Sequence, residues 1–78
     1  MPKFKIPMSE ISNIEKAYKE GSIGIAEKKM LERFAISEKE IDLDSEYGVR
    51  IDTKFFRFFC DDIKTIAEIN KIKLEEVV

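Results

Sequence analysis

The feature that most constrains the fold of this 78-residue chain is the phenylalanine-rich stretch DTKFFRFFCDDIK at positions 52–64. It holds four of the six phenylalanines in the chain. A chain this short buries only about 60% of the surface that its unfolded state exposes, so its core has to draw on these rings. The placement of this stretch therefore decides where the core lies and whether an aromatic surface stays outside it.

A helical wheel over residues 54–70 divides the apolar side chains of this region into two facets. The facet predicted to face the core contains Phe56, Phe59, Cys60, Ile63 and Ala67. The second facet contains Phe55, Phe58, Ile66 and Ile69. Together they span an arc of roughly 200°, which is too wide for a simple surface helix.

Two interpretations of the second facet are open. In the first, the helix is central and the other helices cover both of its facets. In the second, the aromatic residues stay exposed as an interface, and Asp62 among them fits a partly wet surface better than a core. On the second interpretation the sequence predicts a partner-binding surface made of Phe55, Phe58, Asp62 and Ile69.

Capping signals and helical periodicity predict two helices in the first half of the chain. Ser12 and Glu15 have the spacing of a capping box, and Gly21 supplies a C-terminal stop. A second helical period of apolar residues covers residues 25–35. Residues 1–8 come before these helices, and their alternation predicts an extended N-terminal arm or an edge strand.

Two structures fit residues 38–52. Ser37 repeats a capping-box spacing and favours a short third helix to about Leu43, followed by a turn and an extended segment at 47–51. The same residues alternate in polarity, which fits a β-hairpin turning through residues 44–46. We favour the helix, with Asp52 or Thr53 capping a fourth helix at 54–70.

The predicted fold is therefore mainly α. It is a compact bundle of about four helices, with room for one or two short strands. Residues 1–78 are predicted to form a single helical domain.

The stretch AEKKMLERFAISEKEI, residues 26–41, has a spacing of apolar residues that is found in a known family. The apolar positions are Met30, Phe34, Ile36 and Ile41. This pattern resembles the phage-repressor type of helix-turn-helix domain, with Ser37 beginning the would-be recognition helix. The segment 64–78, KTIAEINKIKLEEVV, is similar to the closing segment of that family. The resemblance implies a small DNA-binding transcriptional regulator.

The would-be recognition helix departs from the chemistry of DNA reading. It would present Glu38, Glu40 and Asp42 against a single Lys39, without the Arg, Asn or Gln side chains that read base edges. Leu31 also stands where the family has a small residue. The chain therefore is not expected to read DNA through this helix, and DNA binding is the alternative function.

Charge and composition narrow the classes of partner and compartment. Fourteen basic and sixteen acidic residues give a net charge of −2 and supply no field that attracts nucleic acid or an anionic membrane. No window has the apolar length of a signal peptide or a membrane span. The single Cys60 suits a reducing compartment, so a cytoplasmic location without membrane contact is expected.

The residues that carry most enzymatic and metal chemistry are scarce in this sequence. The chain has no histidine, and Cys60 is followed by Asp61 and Asp62, whose charge disfavours a reactive thiolate. We therefore predict no enzymatic activity, no cofactor or metal, and no small-molecule substrate. The predicted function is a non-enzymatic regulatory or protein-interaction module that binds a protein partner, or itself as a dimer, through an aromatic face of the last long helix.

Overall fold

In the computed structural model, which describes residues 3–42 and 45–77, the chain combines three α-helices with five strands in two antiparallel sheets. In chain order the elements are β1 (Lys3–Lys5), a 3-10 turn (Met8–Glu10), α1 (Ile11–Lys19), α2 (Ile25–Ser37), β2 (Ile41–Asp42), β3 (Glu46–Ile51), β4 (Lys54–Phe59), α3 (Cys60–Ile69) and β5 (Glu75–Val77). The predicted helical bundle is therefore wrong, because the described chain is a mixture of helices and antiparallel sheets.

The two predicted helices of the first half are confirmed as α1 and α2. Gly21 ends the α1 region with a positive φ of 79°, and its N–H donates to the Tyr18 carbonyl at 3.0 Å. The cap predicted at Ser12 is not used, because α1 begins one residue earlier, directly after the 3-10 turn. Helical periodicity located both helices and the first residue of α2, whereas the capping signal misplaced the start of α1.

The short third helix predicted from Ser37 is absent. Ser37 is the last residue of α2, and its hydroxyl donates to the Arg33 carbonyl at 2.8 Å instead of capping a new helix. Glu38 then takes a left-handed conformation with a φ of 49°, which ends α2. The chain continues into β2, while Leu43 and Asp44 lie outside the described residues.

Three short strands from distant parts of the sequence form one sheet, in the order β2-β1-β5. Phe4 pairs with Ile41 of β2 and with Glu76 of β5. The strand in the predicted N-terminal arm is thus the middle strand of this sheet. Phe4 and Ile41 are buried in the core.

The largest difference from the predicted fold lies at residues 54–59, which form a strand and not the first half of a fourth helix. β4 pairs with β3 as a hairpin from Glu46 opposite Phe59 to Ile51 opposite Lys54. The extended segment predicted at 47–51 is confirmed in β3. The second half of the predicted helix corresponds to α3, which ends before its C-cap Asn70, as predicted.

A two-residue turn joins β3 to β4. Asp52 and Thr53 have positive φ angles of 49° and 64°, as a type I′ turn requires. Phenylalanine favours strands, and a strand sends alternate rings to opposite faces. The hairpin therefore removes the wide apolar arc that a helix would have had to cover.

One face of the hairpin, the inner hairpin face, packs on the core. Its residues are Tyr47, Val49, Ile51, Phe56 and Phe58. The Phe34 ring of α2 meets the Tyr47 ring edge-on, with centroids 4.8 Å apart. The core extends from here across α1, α2 and α3 to the three-stranded sheet.

Cys60 lies in this core at the junction of β4 and α3. It is fully buried, which confirms its prediction as a core residue. Its thiol hydrogen-bonds to the Asp42 carbonyl, and its backbone N–H donates to the Ser45 carbonyl at 3.3 Å. The start of α3 is thereby joined to the segment between β2 and β3.

Candidate functional site

The opposite face of the hairpin, the outer hairpin face, is the most aromatic exposed surface of the described chain. Its cross-strand pairs are Glu46 with Phe59, Gly48 with Arg57, and Arg50 with Phe55. Phe55 and Phe59 are 55% and 60% exposed, respectively. Two large rings therefore lie on the same side of one strand, separated by an arginine.

Phe55 lies across the sheet over Gly48. A Cβ atom built on Gly48 would come within 2.2 Å of the Phe55 Cζ atom, so the ring occupies the space that a side chain would fill. The Arg57 guanidinium carbon is 5.8 Å from the centroid of the same ring, within the range of a cation–π contact. The orientation of this exposed ring is thus fixed from two sides.

Phe59 occupies the boundary between β4 and α3. It is the last strand residue and the N-cap of α3, with extended backbone angles of −82° and 154°. The wheel placed Phe59 in the core facet, and that prediction is wrong because the ring belongs to a strand and points away from its half-buried neighbour Phe58. Strand geometry, not polarity, makes this ring available at the surface.

Positive charge collects around these rings although the chain as a whole is acidic. All three arginines of the chain lie here: Arg50 and Arg57 belong to the outer face, and Arg33 of α2 donates to the Gly48 carbonyl at 3.5 Å. Glu46 is the one acidic residue among the paired positions of this face, and its Oε1 lies 3.4 Å from Arg57 Nε. These four side chains carry a net charge of +2, against −2 for the whole chain.

One edge of β4 has no strand partner within residues 3–42 and 45–77. In a hairpin closed by a two-residue turn, the residues flanking the turn exchange both ladder hydrogen bonds, and such pairs then alternate along the strands. Ile51 and Lys54 flank the turn, so Phe56 and Phe58 direct their backbone groups towards β3. The backbone groups that point to the open edge are the N–H and C=O of Phe55 and Arg57 and the N–H of Phe59, since the Phe59 carbonyl accepts the first hydrogen bond of α3.

Two hydrogen bonds outside the ladder agree with this alternation. The Gly48 carbonyl accepts from Arg33, so it points away from β4. The Cys60 N–H donates to Ser45, which continues the pattern of bonded pairs beyond Tyr47 and Phe58. The residues of β4 whose side chains lie on the outer hairpin face are therefore the ones whose N–H groups point to the open edge.

The structure distributes the four residues predicted as a binding surface over different places. Phe55 lies on the outer hairpin face, and Phe58 lies on the inner face beside Met30 and Ile63. Asp62 is exposed in the first turn of α3. Ile69 is 74% exposed at the other end of that helix. The helical wheel that grouped them does not apply to β4.

The sequence did not predict Phe59 as a surface residue, and it did not place Arg57, which the wheel puts on the solvated side, in the binding surface. The signal that could have found them is the spacing in KFFRFF, where alternate positions read Phe55, Arg57, Phe59 on one side and Phe56, Phe58 on the other. A strand needs such a period of two, and the preceding extended segment already offered it a partner.

An open cleft lies between α1 and the end of α3. It has a volume of about 360 Å³ and is lined by Asn13, Lys16, Ala17, Glu20, Ser22, Ile69, Asn70 and Lys71. Its lining mixes two lysines with a carboxylate and two amides, and no two of these lining side chains are hydrogen-bonded to each other. The cleft therefore offers no group of convergent side chains that defines one ligand.

The described residues carry neither a metal cluster nor a membrane-crossing helix. In residues 3–42 and 45–77, no three His, Cys, Asp or Glu side chains are grouped so that they could hold a metal ion. Every helix in the same ranges is too short or too polar to pass through a bilayer.

Comparison with known proteins identifies no relative of this chain. No family model, no curated protein and no solved structure matches it. The resemblance to phage-repressor domains stays a prediction, and the outer hairpin face has to be interpreted from its own chemistry.

Proposed function

We propose that this chain is a non-enzymatic regulatory module that binds a partner protein on the outer hairpin face. The observation that carries the proposal is the pair of exposed rings, Phe55 and Phe59, held on a rigid hairpin beside arginine. Aromatic residues and arginine are the side chains most enriched at the energetic centres of protein interfaces. Exposed rings that border charged groups are typical of such a surface.

The charge around these rings favours a partner that carries carboxylates. Arg50 and Arg57 flank the aromatic side chains, while the remainder of the chain is acidic. An acidic partner is attracted to this face and repelled elsewhere, which orients its approach. A second copy of the chain and a DNA duplex are the competing occupants.

A selection experiment with peptides of random sequence tests the proposal. Peptides are selected from a displayed library on the immobilised full chain, and their affinities are then measured for wild type and Phe59→Ser. We expect the selected peptides to bind the variant at least about tenfold more weakly, as is typical when an interface anchor is truncated. Circular dichroism establishes that the variant is folded.

Met8→Ser is the matched control, because Met8 is 51% exposed in the 3-10 turn and loses a similar apolar side chain. Binding should survive this change. Peptides that bind wild type, Phe55→Ser and Phe59→Ser equally would contradict the proposal. Duplex binding that falls steeply with salt, with no selected peptide, would favour the DNA-binding alternative.

Ile69 was predicted to belong to the partner-binding surface together with Asp62, and its part in binding can be tested in the same assay. Ile69 lies about 14 Å along α3 from Cys60, estimated from the helix rise, so a small partner on the hairpin would not need it. We expect Ile69→Ser to retain peptide binding. Loss of binding in this variant would support the surface predicted from the sequence, which includes Ile69.

A further inference from the structure

We propose that the open edge of β4 takes up an extended segment of the partner as an antiparallel third strand. This inference rests on the proposed function and specifies its mode. The segment is predicted to carry an apolar, an acidic and an apolar side chain at alternate positions on one face. They would lie opposite Phe59, Arg57 and Phe55.

Backbone geometry supports strand addition over simple surface contact. The register of β4 with β3 is unbroken over six residue pairs, so the open edge has no bulge to turn it away from a new strand. Phe55 and Arg57 direct both their N–H and C=O groups to that edge, whereas Phe59 offers only its N–H, because its carbonyl is the N-cap carbonyl of α3. An antiparallel segment can therefore form hydrogen-bonded pairs with Phe55 and Arg57 and accept one further bond from the Phe59 N–H.

Side-chain chemistry selects the sequence of the segment. Cross-strand neighbours contact each other directly, so apolar side chains suit the positions opposite Phe55 and Phe59. A carboxylate suits the position opposite Arg57, whose guanidinium already forms an ion pair with Glu46. Alternate spacing places all three partner side chains on the outer hairpin face.

The same chemistry argues against a second copy of the chain. A two-fold pairing of β4 with itself that keeps all three edge residues paired centres on Arg57. It would place Arg57 directly opposite Arg57 of the second copy, and like charges at opposite positions destabilise a sheet. An acidic partner segment avoids this repulsion.

The probe is the synthetic peptide acetyl-SVTETVS-amide, whose palindromic sequence carries valine, glutamate and valine at alternate positions. Its binding to the full chain is followed by the shifts of the backbone amide resonances in NMR spectra. We expect saturable shifts concentrated at Phe55, Arg57 and Phe59. Replacement of its glutamate by lysine should weaken binding at least about tenfold, because it would place a lysine opposite Arg57.

Backbone methylation distinguishes strand addition from side-chain contact. The glutamate N–H of the peptide points to β4 in the proposed complex, whereas the N–H of the preceding threonine points to solvent. A peptide with N-methylglutamate should bind at least about tenfold more weakly, and one with N-methylthreonine within about twofold of the parent. Equal effects of the two methyl groups would overturn strand addition.

Reversal of the charge at position 57 tests whether the acidic residue of the peptide lies opposite Arg57. Arg57→Glu should lose the glutamate peptide and gain the lysine peptide, while Arg50→Glu should weaken binding without this reversal. If a folded Arg57→Glu variant does not change its preference from the glutamate peptide to the lysine peptide, the assigned register is overturned.

The outcomes separate this inference from the proposed function. If library-selected peptides need Phe59 but tolerate methylation at either position, binding at the outer hairpin face is supported and strand addition is contradicted. If Phe59→Ser leaves every selected peptide unaffected, both fall. A dimer in light scattering whose formation protects the β4 edge amides from exchange would replace the partner segment by a second copy and overturn the inference.

Discussion

At the scale of single residues, Gly48 and Phe55 form one unit on the outer hairpin face. Gly48 is needed here for space and not for an unusual backbone angle, because the Phe55 ring lies where its side chain would project. An aromatic ring that covers a glycine on a neighbouring strand shields the backbone that the missing side chain leaves bare. The exposed ring is thus held at a fixed place.

Ring-current shifts measure this contact. A ring stacked over Gly48 should move at least one of its Hα resonances upfield, and Phe55→Leu should return that resonance to an ordinary position. Phe59→Leu is the matched control, since Phe59 pairs with Glu46 and not with Gly48. Identical Gly48 spectra in wild type and Phe55→Leu would show that the ring does not lie there.

Lys28 is a residue whose ionisation the fold alters. Its ammonium lies 3.0 Å from a Glu32 carboxylate oxygen and 5.1 Å from the centroid of the Tyr18 ring. The hydrogen bond to Glu32 raises the pKa of Lys28 above its ordinary value of 10.5, although desolvation opposes the shift. A raised folded pKa stabilises the protein at neutral pH, and this contribution is lost as pH rises through the folded pKa.

Glu32→Gln should lower the pKa of Lys28, because the main partner of its charged form is removed. The measurement is an NMR titration of the Lys28 side chain in both proteins. Glu15→Gln should lower the pKa less, since Glu15 acts on Lys28 only through longer-range attraction. An unchanged Lys28 titration in Glu32→Gln would contradict the observed ion pair.

At the scale of elements, the hairpin depends on its two-residue turn. Thr53 is a β-branched residue with a φ of 64°, a conformation that costs roughly 1–3 kcal/mol for side chains of this kind. Asp52 has the more tolerant side chain for a positive φ. The turn is therefore formed at a cost that the paired strands offset.

Thr53→Gly should stabilise the protein by about 1 kcal/mol, because glycine adopts this φ without strain. Urea denaturation measures the change. Thr53→Ala is the matched control and should stabilise less, since alanine keeps a Cβ atom at positive φ. Destabilisation by Thr53→Gly would contradict the turn geometry.

The sequence determined the early helices and misled at the phenylalanine run for a physical reason. α1 and α2 are amphipathic over several turns, so periodicity alone locates them. Residues 54–59 are too few to distinguish a strand from a helical turn by polarity, and their aromatic content favours a strand only once β3 lies beside them. Ser37 misled in a similar way, because its hydroxyl bonds back into α2.

The prediction of the candidate site depended on the same choice between a helix and a strand. Of the two rings that the second interpretation leaves exposed, Phe55 is exposed and Phe58 is half-buried. A period of 3.6 paired Phe55 with Phe58, whereas a period of two pairs it with Arg57 and Phe59. The choice of period therefore decided which residues formed the predicted surface.

At the scale of the whole molecule, a small core has to hold two sheets and three helices together. Phe34 is 1% exposed and connects α2 to the hairpin through Tyr47. Loss of a buried phenylalanine side chain costs about 3–5 kcal/mol, which is comparable to the entire stability of a domain of this size. The outer hairpin face thus depends on a ring that lies on the opposite side of the hairpin.

Phe34→Ala should unfold a large fraction of the protein at room temperature, as measured by circular dichroism and urea denaturation. The milder Phe34→Leu keeps most of the volume and should lower the urea midpoint while the protein stays folded. Ile36→Ala is the control, because Ile36 is 60% exposed on the same helix and its loss should change stability little. Equal effects of the Phe34 and Ile36 changes would contradict the described core.

β4 is a strand with one paired edge and one open edge, and hydrogen exchange of the isolated, monomeric chain measures the difference between the two edges. The amides of Phe56 and Phe58 should exchange slowly, while those of Phe55, Arg57 and Phe59 should exchange fast. Uniform protection of all five amides would contradict it, because a helix or a covered strand would leave no open edge for a partner.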